Sequence, residues 1–154
     1  MRKQQVEQVI DAMALEIEHI DAIARSKQRD VLFVEFRRIN HDRSLGRLVG
    51  VSEWRELHAR QQIIDWLNAE GIGWNPCGEF AHLDVRFGYR GQIYIDIPFD
   101  RDLYAYRELE AFLENPDGTM RIPGARFCCV AIDDAMNNAE HDEPGFLERL
   151  TDRF

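Results

Sequence analysis

Two neighbouring stretches of the sequence alternate strictly between apolar and polar residues, and this pattern constrains the fold most. The apolar positions are Leu83, Val85, Phe87 and Tyr89 in the first stretch and Ile93, Ile95, Ile97 and Phe99 in the second. A period of two predicts β-strands with one apolar face. The two apolar rows share a face if Phe87 lies opposite Ile93, which leaves a short turn with Gly91 in the left-handed conformation. The pattern therefore predicts an antiparallel hairpin.

Two further segments are apolar on both faces. Residues 31–36 and 125–132 are rich in β-forming side chains, which predicts strands that are covered on both sides. For residues 31–36 a short buried helix is the alternative, because periodicity does not separate the two. Residues 40–51 carry Gly46 and Gly50 and are expected to form a long connection.

Helical periodicity predicts helices over residues 3–27, 53–69 and 102–114 and from Pro144 onward. Ser52 and Asp102 are the expected N-caps of the second and third helices, and Gly71 fits the end of the second. The first helix is long and amphipathic, and its heptad-like seam also allows a homodimer.

With the N-terminal helix set aside, the order of elements is the split βαββαβ arrangement of ferredoxin-like domains, an α+β fold with an antiparallel sheet. The first and fourth strands are adjacent in such a sheet, so we expect the N-terminal helix to cover their second face. The chain is expected to form a single domain. Residues 1–29 would be the N-terminal helix, residues 30–133 the core, and residues 134–154 an acidic loop with a C-terminal helix.

The sequence also predicts the cellular compartment. No apolar run reaches the roughly 20 residues that cross a bilayer, and the charged N-terminus is unlike a signal peptide. The chain has three cysteines, and the adjacent Cys128 and Cys129 would point to opposite faces of a strand, so no disulfide framework is expected. We therefore predict a cytoplasmic protein that does not associate with membranes.

Acidic residues are distributed unevenly along the chain. Residues 1–77 hold 12 acidic and 11 basic side chains, whereas residues 78–154 hold 16 acidic and 8 basic ones. The net charges are therefore −1 and −8. Phosphate backbones would be repelled by the second half, which argues against nucleic acid and favours a basic protein as partner. The alternative is that the acidity serves solubility alone.

The residues expected to contact such a partner lie on the polar face of the predicted hairpin and in two acidic stretches. They are Asp84, Arg86, Tyr94, Asp96, Asp100, Asp102, Asp133, Asp134, Glu140, Asp142 and Glu143. Acidic complementarity of this kind speeds association and selects partners. The alternative is that Asp100 and Asp102 cap a helix and that residues 133–143 are a solvated loop.

No assembled catalytic or metal-binding motif is present in the sequence. Cys77, Glu79, His82 and Asp84 lie close together but lack the paired spacing of zinc ligands, so we expect neither metal nor cofactor. Cys77 is an unfavourable nucleophile because the neighbouring Glu79 would raise its pKa.

These patterns favour a non-enzymatic acidic inhibitor that binds another protein. Its most concrete form is a toxin immunity protein or a phage counter-defence inhibitor that acts on a basic nucleic-acid-processing protein, such as a nuclease. The alternative is a small-molecule enzyme or ligand-binding domain that uses the loop at residues 40–51. In that case His41, Arg43 and Arg47 would bind an anion, although the loop lacks the glycine spacing of known phosphate-binding loops.

Overall fold

The computed structural model describes residues 17–40, 42, 45–81 and 89–151, which form a mixed α+β fold. The strands are β1 (Val31–Ile39), β2 (Leu45–Leu48), β3 (Trp74–Pro76), β4 (Ile93–Ile95) and β5 (Ala125–Val130). The helices are α1 (Ile20–Lys27), α2 (His58–Ala69), α3 (Tyr104–Leu113), α4 (Ile132–Ala135) and α5 (Phe146–Thr151), with 3-10 segments at Trp54–Glu56 and Met136–Asp142.

β1 is the central strand of an antiparallel sheet. It pairs with β4 on one side through residues 32–34 and with β5 on the other through residues 31–36. β2 pairs with the last residues of β1, and β3 pairs with the outer side of β4. The predicted antiparallel α+β architecture is confirmed, and residues 31–36 form a strand and not a buried helix.

The outer neighbour of β4 was not predicted. Ile93 opposes Val34 in β1 and Pro76 in β3, so β4 is paired on both sides. The predicted partner strand, with its proposed Phe87–Ile93 pair, falls on residues 82–88, which lie outside the described residues. The proline in β3 is compatible with an edge strand, where its missing N–H breaks no ladder.

Residues 40–51 were expected to form a long connection, but they contain a strand. This strand, β2, forms a hairpin with the end of β1 through the pairs Arg37–Leu48 and Ile39–Leu45. β2 has four residues and no apolar alternation, so its strand conformation depends on hydrogen bonds to β1.

α2 and α3 cover one face of the sheet. Their buried side chains pack on the apolar residues that β1 and β4 direct to this face, and the core includes Leu32, Val34, Phe36, Ile63, Leu67, Ile93, Ile95, Leu109 and Leu113. The alternation along β1 assigns its even-numbered residues to this core and Val31 and Phe33 to the opposite face.

α1 covers that opposite face, as expected for the N-terminal helix. Ile20, Ile23 and Ala24 pack in one cluster with buried residues of the sheet, including Val31 and Val130. The predicted helix over residues 3–27 is confirmed only over its last eight residues, because residues 17–19 are not helical and the chain is extended at the N-cap His19. The amides of Gly78 and Ile20 bond to the carbonyl oxygens of Glu18 and Gly78 at 2.7 and 3.1 Å, which ties this segment to the strand region. Residues 3–16, with the predicted homodimer contact, lie outside the described residues.

Two predicted N-caps are wrong. Ser52 precedes a 3-10 segment, and α2 begins after Leu57. α3 begins after Leu103, without a side-chain cap from Asp102. The end of α2 is confirmed, because Gly71 follows it with a φ of 70°.

Candidate functional site

The two acidic stretches of the sequence follow strands that end at the same edge of the sheet. β4 and β5 both run antiparallel to β1, so their carboxyl ends lie where β1 begins. Asp30 precedes β1, Asp96 follows β4, and the loop that holds residues 100–102 continues from there, while residues 133–134 belong to α4 just after β5. We call this set the acidic end: Asp30, Asp96, Asp100, Asp102, Asp133 and Asp134.

Two carboxylates of the acidic end serve internal contacts. Asp96 accepts a hydrogen bond from the Tyr94 hydroxyl at 2.7 Å and from Arg29 at 2.9 Å, and the Lys27 ammonium lies 3.6 Å away. The Tyr94 hydrogen bond and the two cations hold the pKa of Asp96 below its ordinary value. Asp30 accepts the first backbone amide of α4 at 2.8 Å. These two residues therefore hold the sheet end together.

The other four carboxylates are directed to solvent. Asp100, Asp102, Asp133 and Asp134 are exposed, and none forms an ion pair with another residue in the described part of the chain. Asp100 accepts the Asp102 amide at 2.9 Å, which shapes the loop and leaves the charge exposed. Because the N-cap of α3 is Leu103, helix capping does not explain Asp102.

The predicted acidic loop after residue 133 is helical, and one of its carboxylates, Asp142, pairs with a buried arginine. Asp142 accepts hydrogen bonds from the Arg25 Nε at 2.8 Å and Nη2 at 3.0 Å. Arg25 also donates to Asp21 at 3.0 Å and to the Ala135 carbonyl at 3.1 Å. The hydrogen bond to Asp142 raises the pKa of Arg25 although burial opposes it. Asp142 therefore pairs with Arg25, although its side chain is 55% exposed.

Two further predicted contact residues have local partners. Glu140 lies 3.9 Å from His141, and Glu143 lies 3.5 Å from Arg149. Both carboxylates are more than half exposed, so these contacts are weak. They remain part of an acidic surface that adjoins α4.

The polar sheet face is not open at Tyr94, contrary to the sequence analysis. The residue is 2% exposed beneath α1, and its hydroxyl bonds to Asp96. Burial and that hydrogen bond raise the pKa of Tyr94 to about 12. The covering helix was expected over the first and fourth strands only, whereas α1 also packs on Tyr94. Asp84 and Arg86 lie outside the described residues.

The acidic end also carries apolar side chains that the sequence analysis did not single out. Phe99 is 38% exposed, Leu103 37% and Tyr104 69%. They flank Asp100 and Asp102 in the chain: Phe99 and Leu103 lie in the connection between β4 and α3, and Tyr104 is the first residue of α3. The sequence did contain a signal for this patch. The aromatic and acidic residues between the predicted strand and helix fit neither the period of two of a strand nor the 3.6-residue period of a helix, which is typical of an exposed loop. We call Phe99, Leu103 and Tyr104 the aromatic patch.

Of the three residues predicted to bind an anion in the alternative function, the structure describes only Arg47. Arg47 is exposed on β2, whereas His41 and Arg43 lie outside the described residues. A cleft of about 740 Å³ lies beside β2, with Ile39 and Leu45 in its wall, but Arg47 is not among the described residues that line it. Anion binding by this segment stays a prediction.

The described residues contain no group of three or more side chains suited to hold a metal ion. Cys77 is fully buried, and burial raises the pKa of its thiol far above the ordinary value, which makes it a poor nucleophile. Residues 125–132 were expected to be covered on both faces, but Cys129 is exposed and Cys128 is half-buried. Burial still raises both of their pKa values to about 11.

Among the described residues, no helix is both long and apolar enough to traverse a lipid bilayer. Comparison of the chain with protein-family models, with curated proteins and with solved structures finds no match.

Proposed function

We propose that this protein is a non-enzymatic acidic inhibitor that binds a basic nucleic-acid-processing protein, in the manner of a toxin immunity protein or a phage counter-defence inhibitor. One observation carries the proposal. Four exposed carboxylates that form no ion pair with another described residue lie in two segments distant in the sequence, and these segments follow strands that end at the same edge of the sheet.

Electrostatics explains why such a surface suits this role. Carboxylates that lack internal partners attract a basic protein from a distance, raise the association rate and repel polyanions such as nucleic acid. A nuclease presents cationic residues where it binds phosphate, so an acidic surface that covers them blocks its substrate.

The test begins with affinity chromatography of the basic proteins of the source cell on the immobilised chain. A retained protein is then purified, and its association rate and its nucleic-acid cleavage are measured with and without the chain. We expect stoichiometric inhibition, and we expect Asp102→Lys and Asp133→Lys each to slow association about five-fold at 50 mM salt. The difference in association rate between the wild type and these variants should be smaller at 300 mM salt, because salt screens the charges.

Glu56→Lys is the matched control, since it makes the same change in net charge. Glu56 is exposed and precedes α2, which runs from the far end of the sheet back to β3, so it lies away from the acidic end. Equal slowing by all three variants would show that net charge and not the acidic end matters. A partner that binds without loss of cleavage would contradict inhibition.

We also propose that the core is a ferredoxin-like domain in which β3 takes the role expected for residues 83–89. The strand order β5–β1–β4–β3 and the helices α2 and α3 on one face support this topology. The free thiols of Cys77, Cys128 and Cys129 support a reducing, cytoplasmic location.

A further inference from the structure

The aromatic patch combines apolar exposure with charge at a single loop. Tyr104 is the most exposed of the large apolar residues described, at 69%, and Phe99 and Leu103 lie beside it in the chain. Tyrosine and phenylalanine are enriched at the centres of protein interfaces, where they contribute most of the binding energy. Their exposure here leaves contact area for a partner.

The loop that carries the patch is held in shape by its own hydrogen bonds. The amide of Asp100 bonds to the Pro98 carbonyl at 3.0 Å, and that of Leu103 bonds to the Asp100 carbonyl at 3.0 Å. The Phe99 ring packs edge-on against buried Tyr106, with centroids 5.3 Å apart. A preformed loop loses little entropy when it binds.

The patch already accommodates one guanidinium. The Arg101 side chain lies over the Phe99 ring, with its guanidinium carbon 5.9 Å from the ring centroid. This is the geometry of a cation–π contact. The Tyr104 ring has no such cation in the described part of the chain. Asp100 and Asp102 precede it by four and two residues, and neither forms an ion pair with a described residue.

We infer that the loop from Phe99 to Tyr104 binds an arginine side chain of the basic partner, stacked on Tyr104 and paired with Asp100 or Asp102. Arginine fits better than lysine, because its planar guanidinium stacks on an aromatic ring and binds a carboxylate in a bidentate manner. This inference rests on the proposed function and names the chemical group that the acidic end recognises.

The experiment uses two defined probes, fluorescently labelled octa-arginine and octa-lysine peptides, in anisotropy titrations at 50 mM salt with the full chain. Tyr104→Ala should weaken octa-arginine binding about two- to five-fold and octa-lysine binding clearly less, whereas Tyr104→Phe should bind both peptides as the wild type does. The double variant Asp100→Asn with Asp102→Asn should bind both peptides more weakly than the wild type does. Glu56→Gln should bind both peptides as the wild type does.

The experiments distinguish a failure of the arginine inference from a failure of the proposed inhibitor function. Absence of octa-arginine binding, or an equal effect of Tyr104→Ala on both peptides, overturns the arginine inference. If the natural partner still depends on Asp102 and Asp133 in the association measurements, the proposed inhibitor function stands without it. Because Tyr104 is mostly exposed, its variants are expected to fold, which circular dichroism checks.

Discussion

Asp21 and Arg25 form a buried ion pair that links α1 to the C-terminal segment. The Asp21 side chain is fully buried and the Arg25 side chain is 3% exposed, with an N–O distance of 3.0 Å. Asp21 also accepts the Ala81 amide at 3.1 Å and the Asn138 side-chain amide at 2.8 Å. Every oxygen of this carboxylate therefore has a donor, which is what a buried charge requires.

This geometry predicts a pH-dependent stability. Burial alone would raise the pKa of Asp21, but the hydrogen bonds and Arg25 outweigh it and lower the pKa below 3.8. A carboxylate whose folded pKa is depressed stabilises the protein above its unfolded pKa, and this contribution is lost as the pH falls through the folded pKa. Asp21→Asn should therefore cost about 3 kcal/mol at pH 7.

Urea unfolding from pH 7 down to pH 3 measures this contribution. The difference in the free energy of unfolding between the wild type and Asp21→Asn should become smaller below about pH 4. The exposed control Glu56→Gln should have almost the same free energy of unfolding as the wild type throughout. A difference that stays constant over this range would mean that the charge of Asp21 contributes nothing.

At the scale of elements, the turn before β4 depends on one glycine. Gly91 has a φ of 94°, as predicted from the sequence, and a Cβ at this position would lie 2.7 Å from the Cβ of Trp54. Gly118 has a similar φ of 86° in the turn after α3, but a Cβ there meets nothing within 4 Å. The two glycines share a backbone conformation and differ in crowding.

Alanine substitution separates these two effects. Gly118→Ala should cost about 1 kcal/mol from backbone strain alone. Gly91→Ala should cost about 3 kcal/mol, because the core around Trp54 must also move. Urea unfolding midpoints at constant m-value give both numbers. Equal losses would show that the Trp54 contact yields without cost.

Some elements were predictable from the sequence and others were not. β1, β5 and α3 follow from apolar runs or helical periodicity, and local signals of that strength persist in the fold. β2 and β3 have four and three residues without alternation. Both become strands by hydrogen bonding to distant segments, so no local window indicated them.

At the scale of the whole molecule, the C-terminal segment completes a second apolar layer. Ala135 packs in the same cluster as Ile20 and Ala24, and Asp142 satisfies Arg25. The segment was expected to be a solvated loop, because it contains five acids and no lysine or arginine between residues 133 and 143. Its helical form depends on contacts with α1.

Truncation tests this structural role. A chain that ends at Ala131 loses Ala135 and both Arg25 contacts of the segment, so it should lose at least about 3 kcal/mol of stability. A chain that ends at Glu143 keeps those contacts and loses the His141–Phe146 stack, and it should lose about 1 kcal/mol. Thermal unfolding followed by circular dichroism compares them. Similar stability of the two chains would contradict the role of Asp142.

The α+β class, the main helices and the surplus of acidic residues in the second half follow from the amino-acid order alone, because each depends on local periodicity or on simple counting. It did not determine which acidic residues are available to a partner. Pairing of β4 and β5 with β1 puts the segments of Asp102 and Asp133 after strands that end at the same edge of the sheet, while Asp142 is paired with Arg25. Long-range strand pairing and hydrogen bonds to a buried arginine decide which acidic residues are available to a partner. Both form only when the chain is folded.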